Sequence, residues 1–326
     1  MARLVKRELL TKVMDGLRSG GASPILIEDR SPFLIRASAS DGALMNLRVY
    51  VYNCTHGGNL RADDEYRIQV TVPHLDMRKG ETCLLLGWHD EIQAFAAWNP
   101  KAYRYHRGQS PSTQVKEGTL SNALSLPMAL QRTKTFGIVA AFRPPMLADY
   151  AYAGDEIHEV KSDQEIELIE RLDTASLQDI DRGVPASRRI VFRAVAVRYR
   201  AHDFRNRVLC AYASQCAVCD AQLGLVDAAH IAPVSFEAST DETSNGVALC
   251  KLHHFAFDTA LISFDHRYEI EVSKVRLNDL EGDGLHGGAV RFRKGLFKRL
   301  TLPAQEIDWP LAKYIRDGKR ARGWQR

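Results

Sequence analysis

Two short pairs of soft metal ligands constrain this chain more than any other feature of its 326 residues. Cys216-Ala-Val-Cys219 forms a C-x2-C pair, and Cys250-Lys-Leu-His253, about thirty residues further on, forms a C-x2-H pair. Three thiolates and one imidazole make a closed tetrahedral set, the kind that holds a structural zinc ion. Such an ion contributes folding energy directly, so the fold of this region has to bring both pairs to one point. Single cysteine pairs at this gap are common among ordinary buried cysteines; a second pair at the matching gap is not. The other cysteines are Cys54, Cys83 and Cys210. A chain of this size whose N-terminus has no apolar signal core is not expected to use them as a disulfide framework.

A second group of polar residues lies among these ligands. His230 follows a short apolar stretch and precedes Pro233, which places it where a strand enters a loop. His254 directly follows His253 on the helix expected to carry the second zinc pair. Asp258 lies four residues beyond His254, so the two side chains project from one helical face. An imidazole and a carboxylate together suit a hydrated divalent cation that keeps open coordination positions.

Charge adds a direction. The net charge of +4 is mild, but from Arg188 to Arg207 there are seven arginines and a single acid, Asp203. From Glu281 onward there are eleven Lys or Arg against five acids, whereas 155–182 is rich in Asp and Glu. Basic segments flanking a compact module suit a polyanion partner, because neutralised phosphates release condensed counterions; solvated surface is the alternative. No apolar run approaches the ~18 residues of a transmembrane helix. The N-terminal twenty residues alternate apolar and charged positions at helical spacing. The expectation is therefore an amphipathic helix, and a cytoplasmic protein without a membrane partner. No G-x-x-x-x-G-K-[ST] loop is present, so no nucleotide cofactor is expected.

The organisation read from the chain is α+β. Residues 46–53 and 66–72 alternate as half-buried strands do, 83–88 and 92–98 read as a hairpin, and 136–142 as a further strand. A short helix is expected near 118–130, with Pro127 ending or kinking it. Residues 1–154 are thus a β-rich domain, 155–186 an acidic linker with a helical stretch at 164–172, and 187–326 a second domain opening on a helix to about 213. Within the first domain, Tyr103, Arg104, Tyr105 and Arg107 interleave rings and cations in a way that suits DNA contact, although such aromatics are more often core residues.

The stretch Ala228-Ala229-His230-Ile231-Ala232-Pro233, Asn245-Gly246-Val247-Ala248-Leu249-Cys250, and His253-His254 with Phe257-Asp258 resembles the HNH (ββα-metal) nuclease family, in particular its McrA-like and related restriction endonuclease branch. The resemblance spans about fifty residues, and the motifs within it are specific. It implies that His230 is the general base for the water that attacks phosphorus, that Asn245 orients the loop and the base through its side-chain amide, and that His254 holds a single Mg²⁺ or Mn²⁺, with Asp258 a candidate second ligand. The sequence departs from the pattern at Ala229, where many members carry Asp or His. Asp227 is nearby, but it lies three residues before His230, and residues three apart on a strand face opposite ways.

The resemblance implies a restriction endonuclease acting on double-stranded DNA, modified or not, whose residues 1–154 select the target. The rivals are a homing or repair HNH nuclease and a non-catalytic, zinc-stabilised DNA-binding regulator. Cutting both strands needs two active sites, so a homodimer is expected.

Overall fold

The computed structural model of the protein describes residues 3–38, 42–57, 62–103, 112–236 and 239–324. It divides into two compact units, Met1–Tyr199 and Arg200–Arg326.

The first unit is organised by β1 (Ser23–Glu28), β2 (Phe33–Ser38), β3 (Leu44–Asn53), β6 (Thr82–His89), β7 (Ala94–Trp98), β9 (Ala129–Thr133) and β10 (Gly137–Phe142). They pair in the order β1-β2-β3-β6-β7-β10-β9, and all neighbours are antiparallel except β3 and β6. Both faces of the central strands are covered, and the period of two sorts their side chains between two cores, while β1 is largely exposed. Val49, Val51, Leu84, Leu86, Phe95, Ala140 and Phe142 enter one core, together with residues of α1 (Lys6–Ser19) and α4 (Leu147–His158). Tyr50, Tyr52, Leu85, Trp98, Val139 and Ala141 enter the other. That second core also takes in residues of the small sheet β4 (Thr55–His56), β5 (Glu65–Gln69) and β8 (Ser112–Lys116), and of α3 (Glu117–Asn122).

Several expectations change. The hairpin is present, with Trp88 opposite Phe95. The strand expected at 46–53 is buried on both faces rather than half-buried. Its cation Arg48 is 2% exposed and is held by Glu81, with Nε donating to Oε2 at 2.5 Å. The helix near 118–130 stops at Asn122, and Leu130 belongs to β9, because Pro127 blocks continuation. The edge strand β1 and its neighbour β2 were not expected.

The expected linker is the largest revision. Residues 155–186 complete α4 and form α5 (Asp163–Glu170) and α6 (Leu177–Gly183), both opened by serine capping boxes at Ser162 and Ser176. Ile157, Val160, Ile169, Leu172, Ala175, Ile180 and Val184 are buried in the first core. Most of the acids lie on the outer faces, with Glu165 buried against Arg188, so overall charge masked an amphipathic pattern. The helix α7 (Arg189–Ala211) then gives Phe192, Val195 and Ala196 to the first unit's core and Phe204, Val208 and Leu209 to the second's.

The second unit carries β11 (Val226–His230), β12 (Gly246–Cys250) and α8 (Lys251–Asp258) in ββα order. The strands are antiparallel, with His230 opposite Gly246. A Cβ on Gly246 would collide with Val208 and crowd Phe204, so glycine lets the strand lie against α7. The pair β13 (Ile262–Phe264) and β14 (Ile270–Val272), then α9 (Lys274–Gly282), α10 (Ala289–Lys294) and α11 (Ala312–Ala321), complete the unit. No helix among the described residues is long and apolar enough to cross a membrane.

Two measurements check this packing. Ile169→Ala should destabilise the protein by about 2–4 kcal/mol in chemical denaturation, the cost of a buried isoleucine, whereas a linker position would change stability by less than about 0.5 kcal/mol. Asp149, on α4, is buried and its Oδ2 has no hydrogen-bond partner among the described residues. Burial raises its carboxyl to about 7, against the opposing Arg198 guanidinium. The folded chain therefore keeps a proton that the unfolded chain gives up, and this contribution to stability is lost as pH rises from about 4 to about 7. Asp149→Asn should stabilise the protein by about 1–4 kcal/mol near pH 8 and change little near pH 4, read by urea denaturation at both.

Candidate active site

The cysteine and histidine pairs meet as their spacing predicts. Cys216 and Cys219 lie on the turn after α7, where Ala213, Ser214 and Asp220 take positive φ. Cys250 ends β12 and His253 lies in the first turn of α8. Their four donor atoms all lie within 4.8 Å of one another. Cys216 Sγ and Cys250 Sγ are 3.6 Å and 3.2 Å from His253 Nδ1, and Cys219 Sγ is 3.9 Å from Cys250 Sγ. Tetrahedral zinc at its usual bond lengths separates S from S by ~3.7 Å and S from N by ~3.5 Å, so the donors fit that ion. Burial pushes the Cys219 thiol up to about 12, raises that of Cys216 and lowers the His253 imidazole. A divalent cation is what would stabilise such buried thiols as thiolates, with release of protons.

His230 ends β11, beside this cluster in the chain but turned to other partners. Its ring stacks on Phe204 of α7, with centroids 3.8 Å apart and planes 12° from parallel. Its Nε2 lies 2.9 Å from Asp241 Oδ1, and its side chain keeps 18% exposure. Asn245 is fully buried and braces the loop that follows His230. Asn245 Oδ1 accepts from Ala232 N at 2.8 Å, and Nδ2 donates to Thr240 O at 2.8 Å and to Ala232 O at 3.2 Å. Asn245 thus touches the loop's main chain rather than the imidazole.

On α8, His254 Nε2 and Asp258 Oδ2 stand 3.4 Å apart, both partly exposed. Two cis ligands on a small divalent ion with ~2.1 Å bonds would lie ~3 Å apart, so the pair fits such an ion while leaving most of its positions open. Among the described residues no third His, Cys, Asp or Glu joins them; the zinc-type cluster is the one such group of three or more. Asp227 is committed elsewhere, to Arg205 at 2.8 Å and Lys251 at 2.7 Å. It does not fill the place left by Ala229.

Arg322, from the turn after α11, was not foreseen. Its Nη2 donates to His230 O at 2.8 Å and to Asp258 Oδ1 at 3.1 Å, and Nη1 donates to Ile231 O at 2.5 Å. Its guanidinium lies over the Phe257 ring, 4.2 Å from the centroid. Gly318 permits this approach, since a Cβ there would collide with Ile231 O. Phe204, Asp241 and Arg322 had no spacing signal, since each meets His230 only through the tertiary fold.

The N-terminal DNA-contact residues fare differently. Tyr103 is corrected: its ring is 2% exposed in the second core and its hydroxyl donates to Val72 O at 2.7 Å, so it offers no face for stacking. Arg104, Tyr105 and Arg107 lie outside the described residues. In the basic stretch 188–207, Arg188, Arg193, Arg205 and Arg207 are ion-paired to Glu165, Asp181, Asp227 and Asp203, so much of that charge is spent within the protein.

Residues 216–265 match the HNH endonuclease family. Residues 45–151 match a second family, described as methylase-associated X1. No curated protein matches the chain in sequence. Among solved structures it is similar to a "Modification dependent TagI restriction endonuclease", at 10% identity over 85% of this chain and 81% of that one, with a TM-score of 0.29. A likeness at that level carries no argument about mechanism.

Metal analysis of the purified protein should find one tightly held zinc per chain. Cys219→Ser should lose it and lower the thermal midpoint by more than about 5 °C. A stoichiometry well below one would refute the assignment of the four ligands.

Proposed function

We propose that the protein is a restriction endonuclease that hydrolyses phosphodiester bonds of double-stranded DNA in its second unit and selects its target with the first. The observation that carries the reading is His230, partly exposed, at the end of the first strand of a ββα unit whose helix presents His254 and Asp258. Zn²⁺ is the structural ion, held by Cys216, Cys219, Cys250 and His253. The catalytic ion is Mg²⁺ or Mn²⁺, held by His254 with Asp258 as second ligand. That ion, when bound, supplies charge stabilisation at the phosphate and the leaving oxygen.

His230 takes the proton from the attacking water, whose oxygen bonds to phosphorus as the bond to the 3′ oxygen breaks. Phe204 covers one face of the imidazole, and Asn245 keeps the following loop from moving. An HNH site of this size contacts mainly phosphate and sugar, which carry no sequence information. Selection is therefore assigned to the first unit, and its match to a methylase-associated family supports a restriction setting. The target, modified or unmodified, is read there. Cleavage of both strands would engage two copies of the chain, and a restriction role places the protein in the cytoplasm.

The test is incubation with Mg²⁺ or Mn²⁺ and a panel of modified and unmodified duplexes. Cleavage should stop in a chelator strong enough to remove the loosely held ion but not zinc. His230→Ala should lower the rate by about 10²–10⁴-fold while leaving zinc content and DNA binding in place. DNA bound but uncut by the wild-type protein under every metal condition would favour the non-catalytic regulator instead.

A further inference from the structure

We propose that Asp241 is the positioning residue of the general base, holding His230 in the one tautomer that can accept a proton from water. The inference rests on the reading of His230 as that base. A carboxylate accepts hydrogen bonds and donates none, so the 2.9 Å contact between Asp241 Oδ1 and His230 Nε2 requires the ring proton on Nε2. The lone pair is then on Nδ1, which has no partner among the described residues. Phe204 stacks across one face at 3.8 Å, so the free Nδ1 edge is where a water can approach. When Nδ1 takes the water's proton, the resulting imidazolium keeps its Nε2 proton directed at the carboxylate. Asp241 accepts no proton; it orients the ring and stabilises the cation.

The placement of Asp241 is built from several directions. Arg207 of α7 donates through Nη2 to Asp241 O at 2.6 Å and through Nη1 to Thr243 Oγ1 at 2.9 Å. Its Nε is held by Asp203 Oδ2 at 2.7 Å. On the preceding residue, Thr240 O accepts from Asn245 Nδ2 at 2.8 Å, and Thr240 Oγ1 is 2.6 Å from the Tyr314 hydroxyl. α7 therefore carries both the ring that His230 stacks on and the cation that anchors its carboxylate partner. Asn245, which does not touch the imidazole, acts on it through this loop.

The experiment has two arms. In wild-type protein labelled with ¹⁵N at histidine, the His230 signals, assigned by their loss in His230→Ala, should report the tautomer protonated at Nε2. A proton on Nδ1 would overturn the proposal whatever the variants do. In the second arm, nicking of supercoiled plasmid in Mn²⁺ is followed for Asp241→Ala and Asp241→Asn, with zinc content checked in each. Asp241→Ala should lower kcat about 10- to 100-fold with KM within about twofold, and should release the tautomer preference. Asp241→Asn, which can still accept through its amide oxygen, should keep more of both. A kcat for Asp241→Ala within twofold of wild type refutes the positioning role. His230→Ala that still nicks at the wild-type rate refutes instead the reading of His230 as the base, so the two failures are distinct.

Discussion

The convergence of Cys216, Cys219, Cys250 and His253 is the constraint on which the second unit's geometry depends. Cys250 is the last residue of β12 and His253 the third of α8, so the cluster sets where the strand stops and how the helix leaves it. It also ties the knuckle to the strand, where Ala217 N donates to Ala248 O at 2.8 Å. With the helix rotation set, the next residue, His254, must face away from His253, because successive residues on a helix are about 100° apart. One buried cluster thereby aims a neighbouring side chain at solvent. The division between a structural imidazole and one free for other chemistry follows from that single-residue offset.

The same reasoning explains what could be read in advance. The zinc-type ligands and the pair His254–Asp258 were legible because each pair is joined by a turn of chain, and local geometry makes such spacing meaningful. Asp227, two residues before Ala229 on β11, is held by ion pairs with Arg205 and Lys251. Asp241, Arg322 and Phe204 obeyed no such rule. Arg322 is ninety-two residues from His230, and only the packing of α11 against the end of β11 brings them together. In the first unit, the strand β3 looked half-solvated because Arg48, Tyr50 and Tyr52 are polar by type. The ion pair with Glu81 and a second core under the sheet bury all three. The acidic segment 155–186 misled in the opposite sense. Its charge suggested solvent, while its apolar residues fell at helical spacing and packed inward.

The covered sheet narrows where the first unit can meet DNA. A strand face that offers stacking platforms must be open on one side, and here helices lie on one face while a small sheet and α3 lie on the other. Tyr103, one of the aromatic candidates by sequence, is consumed by that second core. The central strands therefore offer no open face, and the surface left to the first unit is that of β1, the helices and the loops. A rigid, doubly covered sheet is well suited to hold such loops in register.

The match to the HNH endonuclease family ends at residue 265, but the contacts that hold His230 and Asp258 in place do not. Arg322 donates to the carbonyls of His230 and Ile231 and to the carboxylate of Asp258, so one guanidinium ties the end of β11 to α8. A planar donor fork satisfies carbonyl and carboxylate acceptors at once, which lysine in the same place would not do. The carboxylate also divides its oxygens, Oδ1 toward Arg322 and Oδ2 toward His254, so Asp258 can offer a cation one oxygen while the other stays anchored. Anchoring of that kind lowers the number of conformations the ligand pair must give up when an ion or a phosphate arrives, and the C-terminal helix is what makes it available.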